Sequence, residues 1–166
     1  EELEAVGLVA THGHFDHIMA AFELQATLNI PFYINKKDVF ILERLQETAE
    51  HFLGEKVVAI PPKEVTFLDE KETLQIGSLA FSVIPTPGHT PGSVSLYQEE
   101  KKVVFVGDVL FSGGGYGRTD FSYCSSSDLQ KSIEKLLNIP PETTICCGHG
   151  EETTVQAENP YFVSRN

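Results

Sequence analysis

Seven residues, five histidines and two aspartates, are of the types and spacing that bind metal ions. His12-Gly13-His14-Phe15-Asp16-His17 places four candidate ligands in six positions, and His89, Asp108 and His149 follow, each in a short Gly-containing loop. With six histidines in 166 residues, such a run is a poor candidate for chance. A lone histidine, by contrast, is usually a surface or satisfied core residue, and His51, isolated in an amphipathic segment, takes that ordinary reading. His12 and His14 stand two apart at the end of an extended segment, so both side chains can point one way and grip one cation. Asp16 and His17, where the chain turns into a helix, can aim at a second site nearby. Imidazole nitrogen suits zinc or iron, and carboxylate oxygen widens the choice to manganese. A structural zinc site is four-coordinate and commonly Cys-rich. Seven nitrogen and oxygen ligands without a thiolate describe two open sites instead, and Asp108, projecting from a strand end, can bridge them.

The elements that must hold these groups follow from the apolar pattern. Leu8 to Ala10 reads as a buried strand ending in the histidine run, with a helix over 18–28, a strand over 31–35 and a second helix over 37–53. From Val65 the period changes to two, and strands are expected around 74–76, 79–84, 94–96 and 103–106. A helix over 126–137, a strand over 143–147 and a helical turn or two over 153–158 complete the order. Gly113-Gly114-Gly115-Tyr116 lacks the Gly-Lys-Ser/Thr ending of a phosphate loop and is read as a flexible wall of a cleft. Cys146 and Cys147 are read as buried apolar residues of a strand. No repeat or linker divides the chain, so one domain over 1–166 is expected.

Composition narrows the partners. Asp and Glu number 24 against 12 Lys and Arg, giving a net charge of −12. Only Arg44, Arg118 and Arg165 carry guanidinium groups, which argues against nucleic acid or an anionic membrane surface and for a small molecule. Adjacent Cys146 and Cys147, with Cys124, make no disulfide framework and point to a reducing, cytoplasmic compartment. No apolar run approaches the ~18 residues of a membrane-spanning helix.

The ordered series His12-x-His14-x-Asp16-His17, His89, Asp108, His149, each at a strand end, resembles the metallo-β-lactamase superfamily. Thr86-Pro-Gly-His-Thr-Pro-Gly-Ser93, Gly107-Asp-Val-Leu-Phe111, Gly117-Arg-Thr-Asp-Phe121 and Gly148-His-Gly-Glu-x-Thr-Thr154 are most similar to its short glyoxalase II-like hydrolases. The resemblance implies an α/β (α+β) class fold, an αββα sandwich with a dinuclear site at one edge. His12, His14 and His89 then bind the first metal, Asp16, His17 and His149 the second, and Asp108 bridges. Members place several strands ahead of the histidine run, so a run beginning at residue 12 suggests a fold incomplete at its N-terminus.

Two divalent ions, zinc foremost with iron or manganese as alternatives, would share a hydroxide nucleophile that Asp16 orients. A thiolate leaves without a strong acid, which favours a thioester such as S-lactoylglutathione. Arg118 and Tyr116 are the candidate substrate contacts, although Arg118 could simply pair with Asp120 and pin its loop. The rival resemblance is to persulfide dioxygenases, in which one ferrous ion would sit on His12, His89 and Asp108.

Overall fold

The computed structural model describes residues 4–68 and 73–163, so Arg165 lies outside the described residues. Strands β1 (Leu8–Val9), β2 (Phe32–Ile34) and β3 (Val65–Phe67) form a parallel sheet in that order. Helices α1 (Phe15–Ile18), α2 (Ala21–Leu28), α3 (Val39–Leu42) and α4 (Leu45–Leu53) fall between its strands. The second sheet has six strands, β4 (Thr73–Ile76), β5 (Leu79–Pro85), β6 (Val94–Gln98), β7 (Val103–Gly107), β10 (Thr144–Cys147) and β11 (Thr153–Thr154). Its order is β11-β10-β7-β6-β5-β4, antiparallel except for the β10/β7 pair. A small hairpin, β8 (Leu110–Phe111) with β9 (Gly115–Tyr116), follows β7, and helices α5 (Ser126–Leu137) and α6 (Val155–Val163) flank β10 in the chain.

Three apolar clusters show how the layers stack. Phe81, Val83, Val94 and Leu96 of the larger sheet pack with Val9 and Tyr33 of the smaller, forming the seam between sheets. Val104, Val106 and Ile145 turn their opposite face to Leu129, Ile133 and Leu136 of α5 and to Phe162 of α6. Phe32 and Ile34 are covered by Ile18, Ala21, Leu45 and Ala49 from the first helices. The layers therefore run helix, sheet, sheet, helix, as the resemblance implies, and alternation along β7 explains the split: Val104 and Val106 are buried while Phe105 points the other way.

Three expectations need correction. The continuous helix over 37–53 is instead a 3-10 turn at Lys36–Asp38, then α3 and α4, separated where Arg44 leaves helical geometry at φ −98°, ψ 13°. Nothing in the local sequence breaks it at Arg44; at its start Asp38, off helical geometry at φ −99°, ψ 3°, is held by buried partners described below, a tertiary demand that overrides propensity there. Nor is 113–116 a loose wall. The amides of Gly113 and Gly114 donate to the Glu158 carboxylate of α6 at 3.0 and 2.8 Å, and Thr153 Oγ1 donates to it at 2.7 Å. Glu158 is itself buried, so the hairpin is tied to the C-terminal helix. The two cysteines of β10 are intermediate rather than fully buried: Cys147 packs against the core, and Cys146 Sγ lies 3.7 Å from Glu152 Oε1.

Candidate metal centre

Strand direction brings the ligand-bearing loops to one edge. β7 and β10 run parallel, so their C-terminal ends emerge together and deliver Asp108 and His149. β6 is antiparallel to both neighbours, so the β5–β6 connection carrying His89 lies at that same edge. The smaller sheet joins through the Val94 amide, which donates to Thr11 O at 2.9 Å. His14 is extended (φ −70°, ψ 148°) and caps α1. His14 therefore leaves extended backbone and His12 the bend that follows β1, while Asp16 and His17 leave the first turn of a helix.

The seven side chains fall into overlapping groups. One ligand atom each from His12, His14 and His89 lie within 4.8 Å of one another, as do those of Asp16, His17 and His149, and those of His12, His17 and Asp108. His17 Nε2 and His149 Nε2 approach to 3.2 Å, with Asp16 Oδ2 3.2 Å from the latter and 3.6 Å from the former. Asp108 Oδ1 is 3.3 Å from His17 Nε2, and its Oδ2 is 3.5 Å from both His89 Nε2 and His149 Nε2. Asp108 thus faces both triads.

The donor atoms fit cations. His12 Nε2, His89 Nε2 and Asp108 Oδ1 are buried without hydrogen-bond partners, an arrangement that costs free energy unless something else satisfies them. Tetrahedral zinc with bonds of about 2.05 Å sets its nitrogen ligands about 3.3 Å apart, close to the His17–His149 separation. The outer nitrogens are already engaged: Thr11 Oγ1 lies 3.2 Å from His12 Nδ1, Arg118 O accepts from His89 Nδ1 at 2.9 Å, and Tyr123 Oη lies 2.9 Å from His14 Nε2. Such partners fix ring orientation and tautomer.

Electrostatics agree with that chemistry. Burial, followed by the neighbouring imidazoles, holds His12 well below its ordinary pKa, and burial with His89 lowers His14 to about 4. Both rings are neutral at pH 7, with a lone pair ready for an ion. Burial also disfavours charge on His17 and Asp108, but their mutual attraction across 3.3 Å prevails, raising His17 and lowering Asp108.

Gly148 is part of the cradle. A Cβ there would collide with Asp108 Oδ1 and come within 3.0 Å of His17 Cε1. Gly148→Ala is therefore expected to retain the fold but lower the bound metal to less than half the wild-type content, read by elemental analysis of purified protein; wild-type content would show that Asp108 has room to move.

Asp38 is a residue the sequence reading passed over. Fully buried, its carboxylate accepts from the Gly13 amide (2.9 Å), the Thr90 hydroxyl (2.7 Å) and the Gly92 amide (2.6 Å). It clamps the loop of His12 and His14 to the loop of His89. The available signal was the one acidic residue, after Lys36 and Lys37, directly before the apolar run Val39-Phe40-Ile41-Leu42. Tyr123 was passed over too, and no motif marks it.

A cleft of 560 Å³ opens over His14, Asp16, His89, Asp108 and His149. Its far side is aromatic: Phe15 stacks on Phe52 (5.5 Å), Phe121 meets Phe52 edge-on (6.2 Å) and stacks on Tyr123 (5.3 Å). Arg118 lies 4.3 Å over the Phe121 ring and also pairs with Asp120 through two 2.6 Å bonds, which hold that carboxyl at about 2. The pair is solvent-exposed, so it does not lock the guanidinium away. Tyr116 is not among the residues lining this cleft. His51 does line it, at the wall rather than among the ligand groups. His51→Ala should leave metal content unchanged; loss of metal would make it a ligand.

The comparisons agree with this geometry. The metallo-beta-lactamase superfamily profile matches residues 5–149. The chain is 40% identical over 164 residues to the hydroxyacylglutathione hydrolase GloC of Haemophilus influenzae, covering 96% of this chain and 76% of that one. Among solved structures it is similar to the BLEG-1 B3 metallo-beta-lactamase (36% identity, TM-score 0.84, 96% of this chain and 78% of that one). It is also similar to TTHA1623 in a di-iron-bound form (34% identity, TM-score 0.84, 95% and 76%). With the layered fold, the clustered ligands and a profile spanning most of its length all in accord, this chain belongs to the metallo-beta-lactamase superfamily.

Proposed function

We propose that this chain is a dinuclear metal-dependent hydrolase of small acyl thioesters of the S-lactoylglutathione type. The observation that carries the proposal is the pair of three-residue ligand groups with Asp108 facing both. The GloC relative supports the substrate class. His12, His14 and His89 would hold one ion, Asp16, His17 and His149 the other, with Asp108 between them and zinc the metal of first choice. When bound, two such ions supply a water acidified towards a pKa of ~7 and a Lewis acid for the carbonyl oxygen.

The remaining work falls to the chain's own groups. Asp16 is more exposed than Asp108, 39% against 10%, and lines the cleft, so it can orient the nucleophile while Asp108 stays buried. A thiolate with a pKa near ~8.5 departs without a strong acid, which suits a cleft whose phenol, Tyr123, is pushed up to about 12 by burial. Arg118, at the mouth, is the contact for a carboxylate on the substrate. No helix among the described residues is long and apolar enough to cross a membrane, and the three cysteines are free, in keeping with a reducing cytoplasm.

Metal analysis with two assays on one sample tests the proposal. Two ions per chain with S-lactoylglutathione cleavage is the expected result. One iron per chain, with oxygen uptake on glutathione persulfide and no thioester cleavage, would replace it with the dioxygenase chemistry.

A further inference from the structure

We infer that Tyr123 is a positioning residue for the first metal site, its hydroxyl fixing which nitrogen His14 turns toward the ion. The inference rests on the metal-site reading above. An imidazole nitrogen engaged with a phenol cannot also hold a cation, and Tyr123 Oη lies 2.9 Å from His14 Nε2. Nδ1 is left as the only donor His14 can offer. Its two companions are set the opposite way: His12 and His89 use Nδ1 in hydrogen bonds and leave Nε2 buried and unpartnered. His14 is thus the odd ring of the triad, edge-on to His12 at 4.9 Å and to His89 at 4.5 Å.

The hydroxyl can enforce this because the Tyr123 ring is itself held, stacked on Phe121 at 5.3 Å and met edge-on by Phe40 at 5.3 Å. With Nδ1 committed to the ion, Nε2 carries the proton and donates to Tyr123. That hydrogen bond selects one tautomer, prevents the ring from flipping, and enriches Nδ1 as a ligand. The segment that supplies Tyr123 also serves His89: Arg118 O takes the His89 Nδ1 proton, and Cys124 Sγ donates to His89 O at 3.0 Å. One connection between β9 and α5 therefore orients two of the three imidazoles.

The test compares wild-type protein with Tyr123→Phe, which keeps the ring stack and removes the hydroxyl. Metal-free samples are titrated with cobalt(II), followed by its d–d absorption, and with zinc against a chromophoric chelator. Nitrogen–proton correlation spectra report the His14 tautomer in the metal-free state. The expected result is an unchanged metal-free melting temperature, an Nε2–H tautomer in wild type that becomes mixed in the variant, and an affinity for the first ion weakened about 10- to 100-fold. In a His14→Ala background, Tyr123→Phe should cause no further loss. Unaltered affinity and tautomer in Tyr123→Phe would overturn the inference, and so would an equal loss in the His14→Ala background. Wild-type protein that takes up no ion would sink the dinuclear reading instead, and the tautomer comparison would still decide whether the hydroxyl governs His14.

Discussion

Replacing Asp108 with alanine is expected to lower thioester turnover by at least about three orders of magnitude, or about 4 kcal/mol of transition-state stabilisation, and to leave at most one ion per chain. The size of the effect follows from its position. Its two oxygens lie within 3.3–3.5 Å of His17, His89 and His149, nitrogens that belong to both ligand groups. In the proposed dinuclear site, removing it would leave no anion between two divalent charges, whose repulsion in a largely buried site would then be unscreened. Asp108→Asn separates charge from shape, since it keeps the volume and one acceptor. It should bind metal weakly and remain slow. Elemental analysis and steady-state rates on the same preparations decide the matter, and an alanine variant with two ions or wild-type turnover would remove Asp108 from the bridging position.

Loss of Asp38 should be the most damaging change outside the ligands. Asp38→Ala strands two buried amides, each costing about 1–3 kcal/mol when left unsatisfied, while the Thr90 hydroxyl keeps Ser93 Oγ at 2.7 Å, so unfolding in urea should lose roughly 2–6 kcal/mol. Asp38→Asn is the more telling variant. Oδ1 and Oδ2 each accept from a backbone N–H, Gly92 and Gly13 respectively, and an amide can present an oxygen to only one of them. The other amide then meets an NH2 group. The expected outcome is a destabilised protein in which the His12/His14 loop and the His89 loop separate and metal affinity falls. Stability within about 0.5 kcal/mol of wild type, the range of an ordinary surface change, would show that the clamp is dispensable.

The sequence made the ligands legible because each follows an apolar strand and breaks into glycine-containing loops, so residue type and chain position coincide. The layers were legible for a similar reason, since alternating Val104, Phe105 and Val106 must face opposite sides. What stayed hidden depends on contacts distant in sequence. Asp38 looks like any polar residue at a helix start until Gly13, Thr90 and Gly92 close around it. Tyr123 has no meaning before His14 is beside it, and the 113–116 turn looked mobile because Glu158, its anchor, lies far along the chain. The backbone repeats the lesson at Asp38, whose buried partners hold it off helical geometry between the 3-10 turn and α3.

The parallel pairing of β10 with β7 makes the last candidate ligand of the chain depend on a contact distant in sequence. Thr144 aligns with Val103 across the whole of α5, and contacts so distant in sequence are slow to form because their chain entropy is lost before they return any stabilisation. His149 therefore reaches the edge only once β10 has docked on β7. A chain in which β10 had not yet docked would offer four of the five imidazoles, those of His12, His14, His17 and His89, and the first ion it met would be set by supply and kinetics as much as by equilibrium preference.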